Sequence, residues 1–202
     1  MRKVALITDG WRRLFTYAWP AGILQRIRET GEDVNLYIFN STGNWSRDAG
    51  YNRAEYNIYN LPELSDFDGI ILELNNISSP AVLADVISNA KRSGRPVVSI
   101  ANELGDFYYV GIDNYSAMKQ VIAHLHEVHD CKKFWLLVGA QDNYESSCRL
   151  QGMLDYAKEH KIKIDKDDIW YGSFDYKSGL EGYKHLWDRH KELPDAVICI
   201  ND

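Results

Sequence analysis

Short apolar runs alternate with helically spaced apolar residues along most of the chain. Val4–Thr8, Val34–Phe39, Gly69–Leu74, Val97–Ile100, Phe134–Val138 and Ala196–Ile200 read as strands, with a weaker one at Ile169–Tyr171. The intervals between them fit crossover helices, so the pattern predicts an α/β protein with parallel sheets flanked by helices. The clearest helix follows Ser79, a capping residue ahead of Pro80; Val82, Val86, Ile87 and Ala90 form its apolar face, and Gly94 can stop it before Pro96. Three further stripes are expected to face a sheet: Met118, Val121, Ile122, Leu125 and Val128; Leu150, Met153, Leu154 and Ala157; and Leu180, Tyr183, Leu186 and Trp187. The segment 101–109 lacks a helical pattern and joins two αβ units. The chain is therefore divided into residues 1–104 and 105–202.

Composition narrows the partners. The 202 residues carry a formal charge of −6, from 29 acidic against 23 basic side chains, which repels a phosphate backbone. Arg12-Arg13 and Lys132-Lys133 are too small to make a nucleic-acid surface. No apolar run approaches the roughly 20 residues of a membrane span, and the run before Asp9 is too short for a secretory signal, so the chain reads as cytoplasmic. Cys131, Cys148 and Cys199 are odd in number and widely spaced, which fits reduced thiols. His126 and His129 share a helical face while His124 is expected to point elsewhere, and no second ligand cluster accompanies them, so neither a metal nor another cofactor is expected. No phosphate loop, nucleophile elbow or zinc-protease motif is present, and the chain is not read as an enzyme.

Three sparse motifs occur in a fixed order: Val110-Gly111-Ile112-Asp113-Asn114, then Ser146-Ser147-Cys148-Arg149-Leu150-Gln151-Gly152, then Pro194-Asp195-Ala196-Val197-Ile198-Cys199-Ile200-Asn201-Asp202. That order resembles the effector-binding core of the LacI/GalR family, whose fold is that of the type I periplasmic sugar-binding proteins. The resemblance implies two lobes closing on a small polar ligand of the sugar or nucleoside class, in a homodimer. Met1-Arg2-Lys3-Val4 leads straight into the first strand, where the family carries a DNA-binding headpiece, so this chain is expected not to touch nucleic acid itself. Asn201-Asp202 falls where the family continues into another helix and strand, so the second lobe is expected to be incomplete. The implied role is a sensor regulating an output module, such as a C-terminal diguanylate cyclase; the alternative is the effector domain of a LacI-type transcription regulator.

Candidate ligand residues follow from strand ends and from these motifs. Arg149 matches the family's Arg-x-x-Gly, by which the resemblance implies a grip on effector oxygens. A guanidinium fork suits paired oxygens, although an ion pair with Glu145 or Asp142 would also use it. Asp202, with Asn201, lies at a strand end where the family again places a ligand-contacting acid. Asp113 or Asn114 is expected to cap the next helix or to brace the lobes. In the first lobe, Asp9 and Trp11 follow the first strand, with Phe15 and Trp19 able to fasten that loop. Asn40 and Ser41 follow the second strand, and Asn75 and Asn76 the third. Phe174, in Gly172-Ser173-Phe174-Asp175, resembles a Gly-x-Phe segment that sets an aromatic ring against the ligand. Two departures stand out: Ala101-Asn102 replaces an acidic residue after the fourth strand, and His129-Asp130 replaces a glycine before Phe134.

Overall fold

The computed structural model describes residues 1–10, 14–42, 48–75, 77, 79–141 and 143–201, with residues 14–16 and 49 described in backbone only. The chain forms two compact units, Met1–Gly111 and Ile112–Asp202. In the first, the strands β1 (Arg2–Asp9), β2 (Val34–Ser41), β3 (Gly69–Glu73), β4 (Val97–Ile100) and β5 (Tyr108–Val110) form one parallel sheet in the order β2-β1-β3-β4-β5. Helices α1 (Leu14–Thr30), α2 (Ala49–Glu55) and α3 (Pro80–Arg92) make the connections. The core is Ala5 and Ile7 of β1, Ile70 and Leu72 of β3, Val97 of β4, and Val86 and Ala90 of α3, closed by Tyr56, Tyr59 and Phe67.

Local causes operate as the sequence suggests for α3. The Ser79 hydroxyl accepts from the Val82 N–H, Pro80 begins the helix, and Gly94 takes a left-handed conformation just beyond its end. Helix α1 is different: Pro20 sits inside it, and from Tyr17 onward no side chain of it is fully buried. β5 has no counterpart among the expected strands. All three of its residues are exposed, so no apolar alternation marks it, yet it adds to β4 and brings residues 105–111 into the first unit.

The second unit holds β6 (Phe134–Val138), β7 (Ile169–Tyr171) and β8 (Ala196–Cys199) in the parallel order β7-β6-β8, with helices α4 (Asn114–His129), α5 (Tyr144–Glu159) and α6 (Tyr176–His190). Ile122, Leu136, Met153, Ala157 and Ile198 are buried at its core. Two expected stripes face the sheet only in part. Val121 and Val128 of α4 are exposed, as are Leu180, Tyr183 and Trp187 of α6, whereas Ile122 of α4 and Gly182 and Leu186 of α6 are buried. The histidines also depart from expectation. His124 turns toward His129, with their Nε2 atoms 3.2 Å apart, while His126 faces Tyr156 and His160. Among the described residues no helix is long and apolar enough to cross a membrane.

Candidate functional site

Parallel strands in register end together, so the side chains at their carboxyl ends form a row in each unit. In the first unit this row is polar and buried: Thr8 and Asp9 on β1, Ser41 on β2, Glu73 on β3, and Ser99 and Asn102 at β4. Thr8 donates its hydroxyl to Glu73 Oε2 at 2.8 Å, Ser41 donates to Asp9 Oδ1, and the Tyr59 hydroxyl donates to the Thr8 carbonyl at 2.9 Å. These bonds keep carboxylates and hydroxyls off apolar walls, where unpaired groups would cost several kcal/mol each. Burial pushes the Glu73 carboxyl above the ordinary glutamate range, and the neighbouring Asp9 charge adds to it. The Tyr56 phenol is pushed up to about 12 by burial and by Asp9.

Asp9 and Asn40 both lie within strands, because β1 and β2 run further than their apolar runs suggest, and Asn75 lies in the turn after β3. Trp11, Asn76 and Asp202 fall outside the described residues. At β4 the backbone carries strain: Ala101 holds a left-handed φ of +67°, buried, with its N–H bonded to the Val110 carbonyl at 3.0 Å, while Ser99 donates its hydroxyl to the Asn102 carbonyl. Asn102 is nine-tenths buried and its Oδ1 has no partner among the described residues.

In the second unit the sequence motifs have direct geometric causes. Asp113 caps α4, accepting from the Ser116 N–H at 2.9 Å, a bond that holds its carboxyl below the usual aspartate range. Asn114, the next residue, is buried and braces the arginine: its Oδ1 accepts from Arg149 Nε at 2.7 Å, and its Nδ2 donates to Glu145 at 3.2 Å. Arg149 also donates Nη1 to the Ile200 carbonyl at 2.7 Å. Glu145 therefore meets the arginine through Asn114. Two of the guanidinium's five N–H donors are taken, and the rest are open at the end of β8 among the described residues. Gly152 completes the motif. A Cβ there would sit 2.3 Å from the Tyr115 carbonyl oxygen, so only glycine lets α5 lie close enough to α4 for Arg149 to reach Asn114.

Phe174 projects from a corner between β7 and α6, at a left-handed φ of +62° and 36% exposed. Its ring lies across Gly139 at the end of β6, where a Cβ would come within 2.0 Å of it. Asp175 caps α6 by accepting from the Ser178 N–H at 2.8 Å, which fixes the corner. A partly exposed ring and an anchored guanidinium thus both stand at strand ends of this unit. Two surface grooves lie elsewhere: one of about 610 Å³ between Asn60–Ser65 and Asn89–Ser93, and one of about 180 Å³ beside Trp135 and His190. Sequence reasoning missed Thr8, Tyr59 and Glu73. Glu73 had left a signal, since an acid closing the run Gly-Ile-Ile-Leu-Glu is costly in a buried strand.

With this geometry established, comparison with known proteins places the fold. The chain is 29% identical over 150 residues to catabolite control protein A of Staphylococcus epidermidis, covering 73% of this chain and 43% of that protein. A sugar-binding transcriptional regulator of the LacI family from Escherichia coli, solved with phosphate, superposes with a TM-score of 0.71 at 18% identity, over 98% of this chain and 67% of that one. The fold is that of a LacI-type effector-binding core. A periplasmic solute-binding protein of an ABC transporter from Actinobacillus succinogenes, solved with D-allose, shares it with a TM-score of 0.75 at 15% identity, over 100% of this chain and 69% of that one. No family model matches the chain. The chain thus spans less than half of the curated relative and about two thirds of the solved ones. These relatives are regulators and a solute-binding protein.

Proposed function

We propose that this LacI-type core binds a small polyhydroxy ligand, of the sugar or nucleoside class, through the groups at the carboxyl ends of its strands, and that binding regulates transcription. The observation that carries this reading is Arg149: partly buried, fixed by Asn114 and the Ile200 carbonyl at a strand end, with donors left over that have no partner among the described residues. A fork held in place loses little freedom on gripping paired hydroxyls, so its donors add affinity at low entropic cost. Phe174 supplies an apolar face of the kind that covers a sugar ring. The sugar-binding regulator and the solute-binding protein solved with D-allose support this ligand class. The relatives also support transcription as the output over a diguanylate cyclase, since they are regulators. A ligand can shift the conformations of such a core only by preferring one of them.

The test is thermal unfolding of the chain with D-allose, D-ribose, D-glucose and adenosine. A bound ligand at a hundredfold over its Kd stabilises by about 2.7 kcal/mol. A saturable rise with one probe, lost in Arg149→Ala and in Arg149→Lys, is the expected result. No rise with any probe, or a rise unchanged in Arg149→Ala, overturns the reading.

A further inference from the structure

We propose that His124 and His129, at the end of α4, form a site for one borderline divalent transition ion, zinc or copper, held through their Nε2 atoms. The two residues are five apart, a separation that turns side chains of a regular helix about 140° from one another. They meet nonetheless. His129 is the last helical residue, Asp130 beyond it takes a left-handed φ of +53°, and the two Nε2 atoms stand 3.2 Å apart. The rings approach edge to face, with centroids 4.9 Å apart and planes at 76°, so the nitrogens are the leading atoms of both. Two Zn–N bonds of about 2.0–2.1 Å at a tetrahedral angle hold their nitrogens about 3.3 Å apart. The pair thus has the bite of two imidazoles on one metal before any ion arrives.

The surroundings favour such an ion. Both side chains are exposed, which lets a hydrated ion reach them, and the C-terminal end of a helix carries partial negative charge from its unpaired carbonyls. Other donors nearby are engaged: Asp130 by Lys132 Nζ at 3.1 Å, and Glu127 by the Tyr156 hydroxyl at 2.9 Å. The Nδ1 atoms of His126 and His160 lie on the Tyr156 hydroxyl and the Tyr156 carbonyl. Among the described residues no group of three or more His, Cys, Asp or Glu side chains converges, so water completes the ion's shell. Imidazole nitrogen selects zinc or copper over magnesium and calcium, which take oxygen. When the ion takes both Nε2 lone pairs, the ring that carried a proton there carries it on Nδ1 instead, so both rings stay neutral. Bridging the rings steadies the last turn of α4, in which the Asp130 and Cys131 N–H groups both bond to the Leu125 carbonyl.

Calorimetric titration of the chain with zinc chloride, with magnesium chloride as control and a phosphine keeping the thiols reduced, tests the site. One zinc ion per chain is expected. Its affinity should fall by at least about tenfold in His124→Ala and in His129→Ala, because even a residue that only orients a metal ligand is worth that much. His126→Ala is expected to bind as the wild type does. Both ligand side chains are exposed, so the metal-free melting midpoints of the two variants stay at the wild-type value. With one equivalent of copper(II), paramagnetic resonance is expected to show coupling to two imidazole nitrogens in the wild type and to one in either variant. Zinc should also slow exchange of the Asp130 and Cys131 amides. Absence of stoichiometric zinc binding overturns the proposal and leaves the contact as a hydrogen bond between two neutral rings. Binding unchanged in both histidine variants, or lost only in Cys131→Ser, overturns it as well.

Discussion

The two units solve one problem in opposite ways. At the strand ends of the first, polarity is turned inward: Asp9, Ser41, Thr8, Glu73 and Tyr59 bond to one another in a buried acidic network. At those of the second, a partly buried cation is held by Asn114 and the Ile200 carbonyl, and its remaining donors meet no acceptor among the described residues. The difference extends to the helices. α4 and α5 meet at a contact tight enough to exclude a methyl group, whereas α1 has no buried side chain from Tyr17 onward. Positioning a charge to within bonding distance demands rigid neighbours, and the tightly packed unit is the one that does so.

Glycine substitutions break this contrast open. Gly152→Ala places a methyl group against the Tyr115 backbone, which has no free end to move. It is expected to cost about 1–3 kcal/mol, or about 4–8 °C in melting midpoint per kcal/mol for a unit of this size. The loss should appear as faster amide exchange in the second unit, with the first unit unchanged. A neutral Gly152→Ala would show that the α4–α5 contact yields more readily than its geometry implies. Gly22 of α1 has open space within 4 Å of the point where a Cβ would stand, so Gly22→Ala should raise stability by about 0.5–1 kcal/mol through helix propensity alone. A lower melting midpoint would mean that α1 packs more closely than its exposure implies.

Most of the architecture was legible because parallel strands bury both faces and so read as unbroken apolar runs. What escaped has specific causes. β5 is an exposed strand of three residues without alternation, and its place depends on β4 alone. Val128 and Trp187 obey helical spacing yet face outward, because spacing defines a stripe wider than the line a small sheet can cover. Among the candidates, Arg149 and Asn114 were legible from local motifs whose spacing is a property of helices. The buried network of the first unit was not, since Thr8, Ser41, Tyr59 and Glu73 come from four segments and converge only through the sheet register. Single residues such as Asn40 could be named from strand ends, but their pairings could not.

The decisive observation is where a bound probe protects the chain. Hydrogen–deuterium exchange with and without saturating D-allose, or whichever panel member gives the largest thermal shift, reads this for both units at once. The account predicts slowed exchange at the strand ends of the second unit, Gly139–Ala140 and Ile200–Asn201, beside Phe174 and Arg149. Protection confined to the groove between Asn60–Ser65 and Asn89–Ser93, with the strand ends unchanged, would contradict it.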